Sequence, residues 1–136
     1  MNERIDDKIS KIEDYLSELL EIIPDNIEEY KRNLKEKAAC ERYFEKIVEA
    51  VVDLAFLIIR EKDLGIPESD KEAFDILVRN NLISKELASR LKEAKGMRNV
   101  IAHEYGKIDD NLVFYSTKEE LENDVKEFIK AIKGLK

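Results

Sequence analysis

The sequence predicts an all-α protein, an up-and-down bundle of four to five helices in a single domain over residues 1–136. Three observations lead to this class. Glycine and proline, which interrupt helices, occur only four times and twice. Residues that favour helices, such as Leu, Ala, Glu and Lys, are abundant. Apolar residues recur every three or four positions, and a chain of this length can bury one core but hardly two.

Charge restricts the ways in which the protein could bind nucleic acid. The chain has 24 basic and 31 acidic side chains and a formal charge of −7. This balance argues against binding through overall charge, so a nuclease would need its basic groups concentrated in one cleft. The Lys, Glu and Ile content also fits a thermophilic source.

The cysteine count and the hydropathy pattern predict a cytoplasmic protein without membrane contact. Cys40 is the single cysteine, so no internal disulfide can form. The longest uninterrupted apolar run, residues 54–59, is far too short to span a bilayer. The first residues lack the apolar core of a signal peptide.

The first half of the chain predicts two helices. The first has its apolar residues at helical spacing and ends before Pro24, and Asp25 or Asn26 can cap the next. No residue from 27 to 62 breaks a helix, and residues 40–59 are apolar on nearly all sides. Such a helix is either central in the bundle or shared with a partner, and a homodimer through it is expected.

The second half predicts a turn, two further helices and a final one. A turn at residues 65–67 precedes a short helix over 70–78, which Ser69 and Glu72 begin as a capping box. Ser84 caps a helix that runs from 85 towards 103. A loop over 106–111 and an extended link over 112–115 follow. Thr117 and Glu120 form a second capping box, which opens the last helix.

Arg98 is the first candidate functional residue. It lies on the apolar stripe of the helix over 85–103, and a guanidinium there is costly unless it has a partner or lines a cleft. One interpretation is a structural arginine that reaches a carboxylate such as Asp53 or Glu104. The other is an arginine kept for a ligand.

His103, the only histidine, is the second candidate. On a regular helix it lies beside Asn99 and well round the cylinder from Arg98. Either it points to solvent, or the helix ends near residue 102 and Arg98 meets it. One histidine and one cysteine cannot form the usual zinc sites, and no phosphate-binding glycine loop is present. No metal or cofactor is therefore expected.

The segment Arg98-Asn99-Val100-Ile101-Ala102-His103-Glu104-Tyr105 contains an Arg, four residues, His, one residue, Tyr pattern. This pattern, together with the chain length and the helix order, resembles the HEPN superfamily and specifically HepT-type toxins encoded beside MNT-type nucleotidyltransferases. The resemblance implies a metal-independent endoribonuclease that acts as a homodimer, with the two motifs facing each other across one cleft. It further implies catalytic roles for Arg98 and His103, and silencing by transfer of AMP to Tyr105.

The residues fit these implied roles. Cleavage of RNA without metal needs a group that moves a proton near neutral pH and a group that holds phosphate oxygens, which histidine and arginine supply. Asn99 is expected to orient His103 by a hydrogen bond. A phenol, with a pKa of about 10, is a poor base at neutral pH, so Tyr105 is predicted to be regulatory.

Three functions remain open at this point. The first is an RNase toxin of a toxin–antitoxin pair. The second is a catalytically silent helical module that docks a nucleotidyltransferase. The third is a helical adaptor unrelated to nucleotides.

Overall fold

A computed structural model describes residues 2–103 and 108–135, and within them the chain forms seven α-helices and no strand. The helices are α1 (Glu3–Ile22), α2 (Ile27–Arg32), α3 (Leu34–Glu61), α4 (Asp70–Arg79), α5 (Lys85–His103), α6 (Asp110–Tyr115) and α7 (Leu121–Lys133). The predicted all-α class is confirmed. None of these helices is long and apolar enough to cross a membrane.

Helix α3 is the central element of the bundle. It packs against α1, α2, α4 and α5, and eleven of its residues are buried. Of its other large apolar residues, Tyr43, Phe56 and Leu57 are partly buried against the same core, and Leu34 at its start is exposed. Of the two positions that the sequence allows for this helix, the central one is observed, because the surrounding helices of the same chain cover most of it. Burial also raises the pKa of the Cys40 thiol to about 11, so the thiol stays protonated at neutral pH.

The predicted unbroken helix over 27–62 is interrupted at Asn33, which lies between α2 and α3 in an extended conformation. Its backbone N–H donates to the Glu29 carbonyl at 2.9 Å, which closes α2. Its side-chain oxygen accepts from the Glu36 N–H at 3.0 Å, which caps α3. Asparagine side chains compete with the backbone for hydrogen bonds in this way, and the spacing of apolar residues does not reveal such a break. The predicted cap at Asn26 is confirmed, since its side chain accepts from the Glu29 N–H at 2.9 Å.

The turn and the two caps that follow α3 agree with the sequence. Gly65 has a φ of 107°, which an L side chain rarely adopts, and this allows the chain to turn towards α4. Ser69 accepts from the Glu72 N–H at 3.1 Å at the start of α4. Ser84 accepts from the Leu87 N–H at 3.0 Å at the start of α5.

Residues 110–115 form helix α6 and not the end of a loop followed by an extended link, so the prediction for this segment is wrong. Asp109 caps α6 by accepting from the N–H groups of Asn111 and Leu112 at 3.0 and 3.3 Å. The apolar residues Val113 and Phe114 are buried, and the Phe114 ring lies 5.0 Å from that of Tyr30 in α2. This tertiary packing outweighs the strand propensity of the local sequence.

The predicted capping box at Thr117 and Glu120 is also wrong, because the helix does not restart there. A π-helical segment, Ser116–Glu120, joins α6 to α7 without a break. Thr117 is buried, and its hydroxyl donates to the Val113 carbonyl at 2.7 Å in place of capping α7. The apolar side of α7 is buried against the core at five residues: Leu121, Val125, Phe128, Ile129 and Ile132.

Candidate active site

Helix α5 positions the residues of the motif. The predicted apolar stripe is buried at Leu87, Leu91 and Ile101 and partly buried at Ala94. These contacts fix the rotation of α5 about its axis. Helical geometry continues through His103. The predicted alternative in which the helix ends near residue 102 is therefore not observed.

Arg98 is directed into the bundle edge towards α3. Its side chain is 18% exposed, and its Nη2 forms an ion pair with the carboxylate of Glu49, which is 50% exposed. Nη1 donates to the Asn99 side-chain oxygen at 3.4 Å, and Nε is buried without a partner among residues 2–103 and 108–135. The guanidinium is thus only partly satisfied by protein groups.

The partner of Arg98 differs from the expected one. Asp53 instead pairs with Lys8 of α1 at 3.3 Å, and Glu104 lies outside the described residues. Arg98 is thus paired with a carboxylate, as one of the two interpretations predicts, but this carboxylate is Glu49 and not Asp53. An ion pair in which one partner is half exposed contributes roughly 0–1 kcal/mol, so a phosphate can compete for this guanidinium.

His103 and Asn99 occupy a different face of α5 from Arg98. Five residues along a regular helix rotate His103 by about 140° from Arg98 and advance it by about 7.5 Å. His103, Asn99 and Val100 are exposed, and the Val100 side chain is 40% exposed. The hydrogen bonds found among the described residues do not include one between Asn99 and His103. A single copy of the chain therefore leaves the predicted catalytic pair apart.

Tyr105 lies outside the described residues. The structure describes the helices on either side of residues 104–107, α5 and α6. Helix α6 is held to the bundle by the contact between Phe114 and Tyr30 and by an ion pair of 3.0 Å between Asp110 and Lys37 of α3.

Sequence reasoning missed Glu49 as the partner of Arg98. A polar strip on α3 that includes Glu49, Asp53 and Arg60 was visible in the sequence. The strip alone shows that one side of the helix is polar, but not which helix faces it. In the structure it forms the floor of a groove between α1 and α5.

Potential metal ligands do not gather in the described part of the chain. No group of three or more His, Cys, Asp or Glu side chains there is arranged to hold a metal ion. Among the described residues, the groups at this site that can take part in chemistry are the guanidinium of Arg98, the exposed imidazole of His103 and the amide of Asn99.

Comparison with known proteins identifies relatives along nearly the whole chain. The family model "Ribonuclease HepT-like" matches residues 12–132. The mRNA nuclease HepT of Shewanella oneidensis is 31% identical over 134 residues, which cover 98% of this chain and 99% of that protein. The tRNA nuclease HepT of Aphanizomenon flos-aquae is 28% identical over 110 residues, 81% of this chain and 75% of that one.

A solved structure agrees with these relatives. The tri-AMPylated HEPN toxin of Shewanella oneidensis, solved in complex with its MNT antitoxin, superposes with a TM-score of 0.90. The two chains are 31% identical, and the match covers 98% of each.

Proposed function

This chain belongs to the ribonuclease HepT-like family, and from that premise we propose that it is a metal-independent endoribonuclease, the toxin of a toxin–antitoxin pair. Two of its relatives are named as nucleases of mRNA and of tRNA, which supports RNA as the substrate class. The observation that carries the proposal is the state of Arg98, whose guanidinium pairs with a half-exposed carboxylate and whose Nε has no partner among residues 2–103 and 108–135.

The proposed reaction uses the 2′-hydroxyl of the substrate as the nucleophile. Its oxygen attacks the adjacent phosphorus while an imidazole accepts its proton. The bond from phosphorus to the 5′-oxygen breaks, and a second acid protonates that oxygen, which leaves a 2′,3′-cyclic phosphate and a 5′-hydroxyl. Arg98 would hold two phosphate oxygens and stabilise the extra negative charge, because a guanidinium presents two parallel donors. His103 would accept the proton of the 2′-hydroxyl, and water can supply the proton that the leaving 5′-oxygen takes up.

A homodimer is part of this proposal. One copy of the chain keeps Arg98 and His103 on different faces of α5, so the arginine of one copy would act with the histidine of the other. A second copy placed against the exposed face formed by Asn99, Val100 and His103 would supply the missing groups and cover Val100. The support for a dimer thus comes from α5 and not from α3.

The partner protein in the proposal is an MNT-type nucleotidyltransferase antitoxin. The similar toxin structure is AMPylated and bound to such an antitoxin. We propose that Tyr105 receives AMP in this chain, because a bulky anion two residues from His103 would block substrate phosphate by volume and by charge. The test is mass spectrometry after incubation with ATP and the neighbouring nucleotidyltransferase. We expect an adduct on the wild type and none on Tyr105→Phe; a modified and neutralised Tyr105→Phe protein would contradict this assignment.

We also propose that the protein acts in the cytoplasm, where its RNA substrate is present. The protonated and buried thiol of Cys40 is compatible with a reducing compartment.

The second candidate is a catalytically silent module that docks the nucleotidyltransferase. The ion pair between Arg98 and Glu49, and the distance of His103 from Arg98 along α5, are the observations that favour it. Under this interpretation both residues are structural.

Cleavage of RNA by the purified protein with a chelator present separates the two functions. We expect the wild type to cut the RNA and His103→Ala to leave it intact, because His103 is exposed and its loss should not disturb the fold. Circular dichroism of both proteins provides the control for folding. An inactive wild type that still binds the nucleotidyltransferase would support the silent module, and cleavage abolished by chelator would contradict a metal-independent reaction.

A further inference from the structure

A groove with a volume of about 980 Å³ begins beside the Arg98–Glu49 ion pair. Its floor is the polar strip of α3, which extends over three helical turns from Glu49 to Arg60, about 16 Å along the helix axis. One wall is the face of α1 that carries Arg4, Lys8 and Lys11. The other is the turn at residues 65–67 with the start of α4 and Lys95 of α5.

Basic side chains offset the carboxylates along this groove, whereas the chain as a whole is strongly acidic. Five basic side chains line it, and Arg98 at its end makes a sixth, against five carboxylates: Asp7, Glu49, Asp53, Asp63 and Asp70. The groove thus has a slight excess of cations in a chain whose formal charge is −7. A backbone phosphate would therefore meet less repulsion in this groove than the formal charge of the chain implies.

Three of the six cations are available for a ligand. Lys8 pairs with Asp53 at 3.3 Å and Lys95 with Asp70 at 3.0 Å, while Arg98 pairs with Glu49. Arg4, Lys11 and Arg60 are exposed and have no carboxylate within 4 Å in the described part of the chain. Arg4 and Lys11 lie two turns apart on one face of α1, opposite Arg60 on α3.

The groove also contains apolar side chains beside these cations. Phe56 and Leu57 of α3 line the groove and are partly buried, and Ile66 at its edge is 90% exposed. Single-stranded nucleic acid has an anionic backbone and unpaired bases with apolar faces. Grooves that bind it combine cations with aromatic or apolar side chains in the same way. A duplex, whose bases are stacked inside, would leave this apolar surface unused.

We propose that this groove binds the single-stranded RNA on one side of the phosphate that Arg98 holds, and that Arg4, Lys11 and Arg60 contact its backbone phosphates. The proposal rests on the proposed RNase function and assigns to it a substrate-binding tract. The ligand class follows from the continuity of the groove with Arg98, from its unpaired cations and from the apolar side chains of Phe56, Leu57 and Ile66 that line it.

The test is the salt dependence of RNA binding by the full-length protein. The probe is a short fluorescein-labelled 2′-O-methyl oligoribonucleotide, which lacks the nucleophile and stays intact, and fluorescence anisotropy measures its Kd over a range of salt concentrations. The test variant is Arg4→Gln/Lys11→Gln/Arg60→Gln. We expect its Kd to rise about tenfold at low salt, and the slope of log K against log salt to become shallower by about 2, since each phosphate contact to a single strand contributes about 0.7.

The matched control is Arg79→Gln/Lys85→Gln/Lys130→Gln. These three side chains are also exposed, form no ion pair among the described residues and lie outside the groove. Both variants make the chain more negative by the same three charges. We therefore expect the control to keep the wild-type slope, which separates local phosphate contacts from net charge.

The outcomes distinguish this proposal from the function on which it rests. A wild type that neither cleaves RNA nor binds the probe would overturn the RNase function. A wild type that cleaves RNA while the groove variant keeps the wild-type slope would overturn the groove alone. So would a groove variant that binds RNA normally but loses self-association in light scattering, because the groove would then be a protein interface. Equal affinity for the single strand and for its duplex would also contradict the proposal.

Discussion

At the scale of single residues, Arg98 combines a largely covered side chain with a replaceable partner. Its side chain is largely covered, yet the only carboxylate that pairs with it among the described residues, Glu49, is half exposed. Loss of such a pair costs roughly 0–1 kcal/mol of folding free energy. Loss of a guanidinium that stabilises the transition state costs about 10²–10³-fold in rate. Substitution of Arg98 should therefore lower the cleavage rate strongly and the free energy of unfolding only slightly.

We expect Arg98→Ala to reduce RNA cleavage by at least about a hundredfold while the melting temperature changes by only a few degrees. Arg98→Lys should also lose most of the activity, because an ammonium does not make the planar two-donor contact. The control is Glu49→Gln, which removes the same ion pair but keeps the guanidinium. If Arg98→Ala unfolds the protein and Glu49→Gln does not, Arg98 has a structural role beyond this pair.

Glu41 of α3 gives a pH-dependent prediction. Burial raises the pKa of its carboxyl, Asp110 and Glu45 raise it further, and Lys37 opposes the shift. The folded state therefore binds the proton more tightly than the unfolded chain, so the charged carboxylate lowers stability above the unfolded pKa of about 4.5. Protonation removes this penalty as the pH falls.

Glu41→Gln should accordingly raise the melting temperature at pH 7, by a few degrees at most for a partly exposed group. The gain should disappear towards pH 4, where the wild-type carboxyl is protonated in both states. Thermal unfolding followed by circular dichroism at both pH values measures this difference. Glu93→Gln, at an exposed position of α5, is the control and should change stability little at either pH. A gain that persists at pH 4 would mean that charge is not its cause.

At the scale of elements, the passage from α6 to α7 is continuous because Thr117 is buried. Its hydroxyl donates to the Val113 carbonyl, and its methyl lies in the core, where the side chain is 1% exposed. An exposed N-cap threonine would need only the hydroxyl. Removal of the methyl group should therefore destabilise a buried Thr117, whereas a threonine that only caps a helix would tolerate this loss.

We expect both Thr117→Val and Thr117→Ser to destabilise the protein by about 1 kcal/mol. The valine variant loses a hydrogen bond, and the serine variant loses a buried methyl. Urea unfolding at constant pH measures both changes. For comparison, Ser69→Thr keeps the hydroxyl at an exposed N-cap of α4 and should be close to neutral. A neutral Thr117→Ser would indicate a capping role and a break between the two helices.

At the scale of the whole molecule, the proposed site needs two copies of the chain. Arg98 of one copy would act with His103 of the other, which gives a direct test by mixing two inactive variants. A heterodimer of Arg98→Ala with His103→Ala keeps one intact pair. This pair consists of Arg98 of the His103→Ala subunit and His103 of the Arg98→Ala subunit. The homodimers of either variant keep none.

We expect the separate variants to be inactive and their equimolar mixture, after exchange of subunits, to recover about a quarter of wild-type activity, because half of the dimers are mixed and each has one of two intact pairs. Size-exclusion chromatography with light scattering verifies the dimer. A mixture of Arg98→Ala with the double variant Arg98→Ala/His103→Ala is the control and should stay inactive. No recovery in an exchanged mixture, or a monomer in solution, would contradict a shared site.

Much of the fold was predictable because it depends on local spacing and capping. The apolar stripes of α1, α5 and α7, the caps at Ser69 and Ser84 and the turn at Gly65 all follow from residues within a few positions of each other. The errors have a common cause. At Asn33 a side-chain oxygen accepts the hydrogen bond of the Glu36 N–H and so starts a new helix in the middle of a stretch that favours one continuous helix. At residues 110–117 burial against α2 and the core decides the structure, whatever the local propensity.

The sequence by itself determined the helical class, the placement of Arg98 and His103 on one helix and the family to which the motif points, since each is encoded in residue type and short-range spacing. The tertiary structure alone decided which carboxylate meets Arg98 and that α3 is covered within one chain. It also decided that the strip of α3 faces α1 and α5 to form a groove. These features join residues tens of positions apart, such as Glu49 and Arg98, and their pairing depends on how whole helices pack around a shared core.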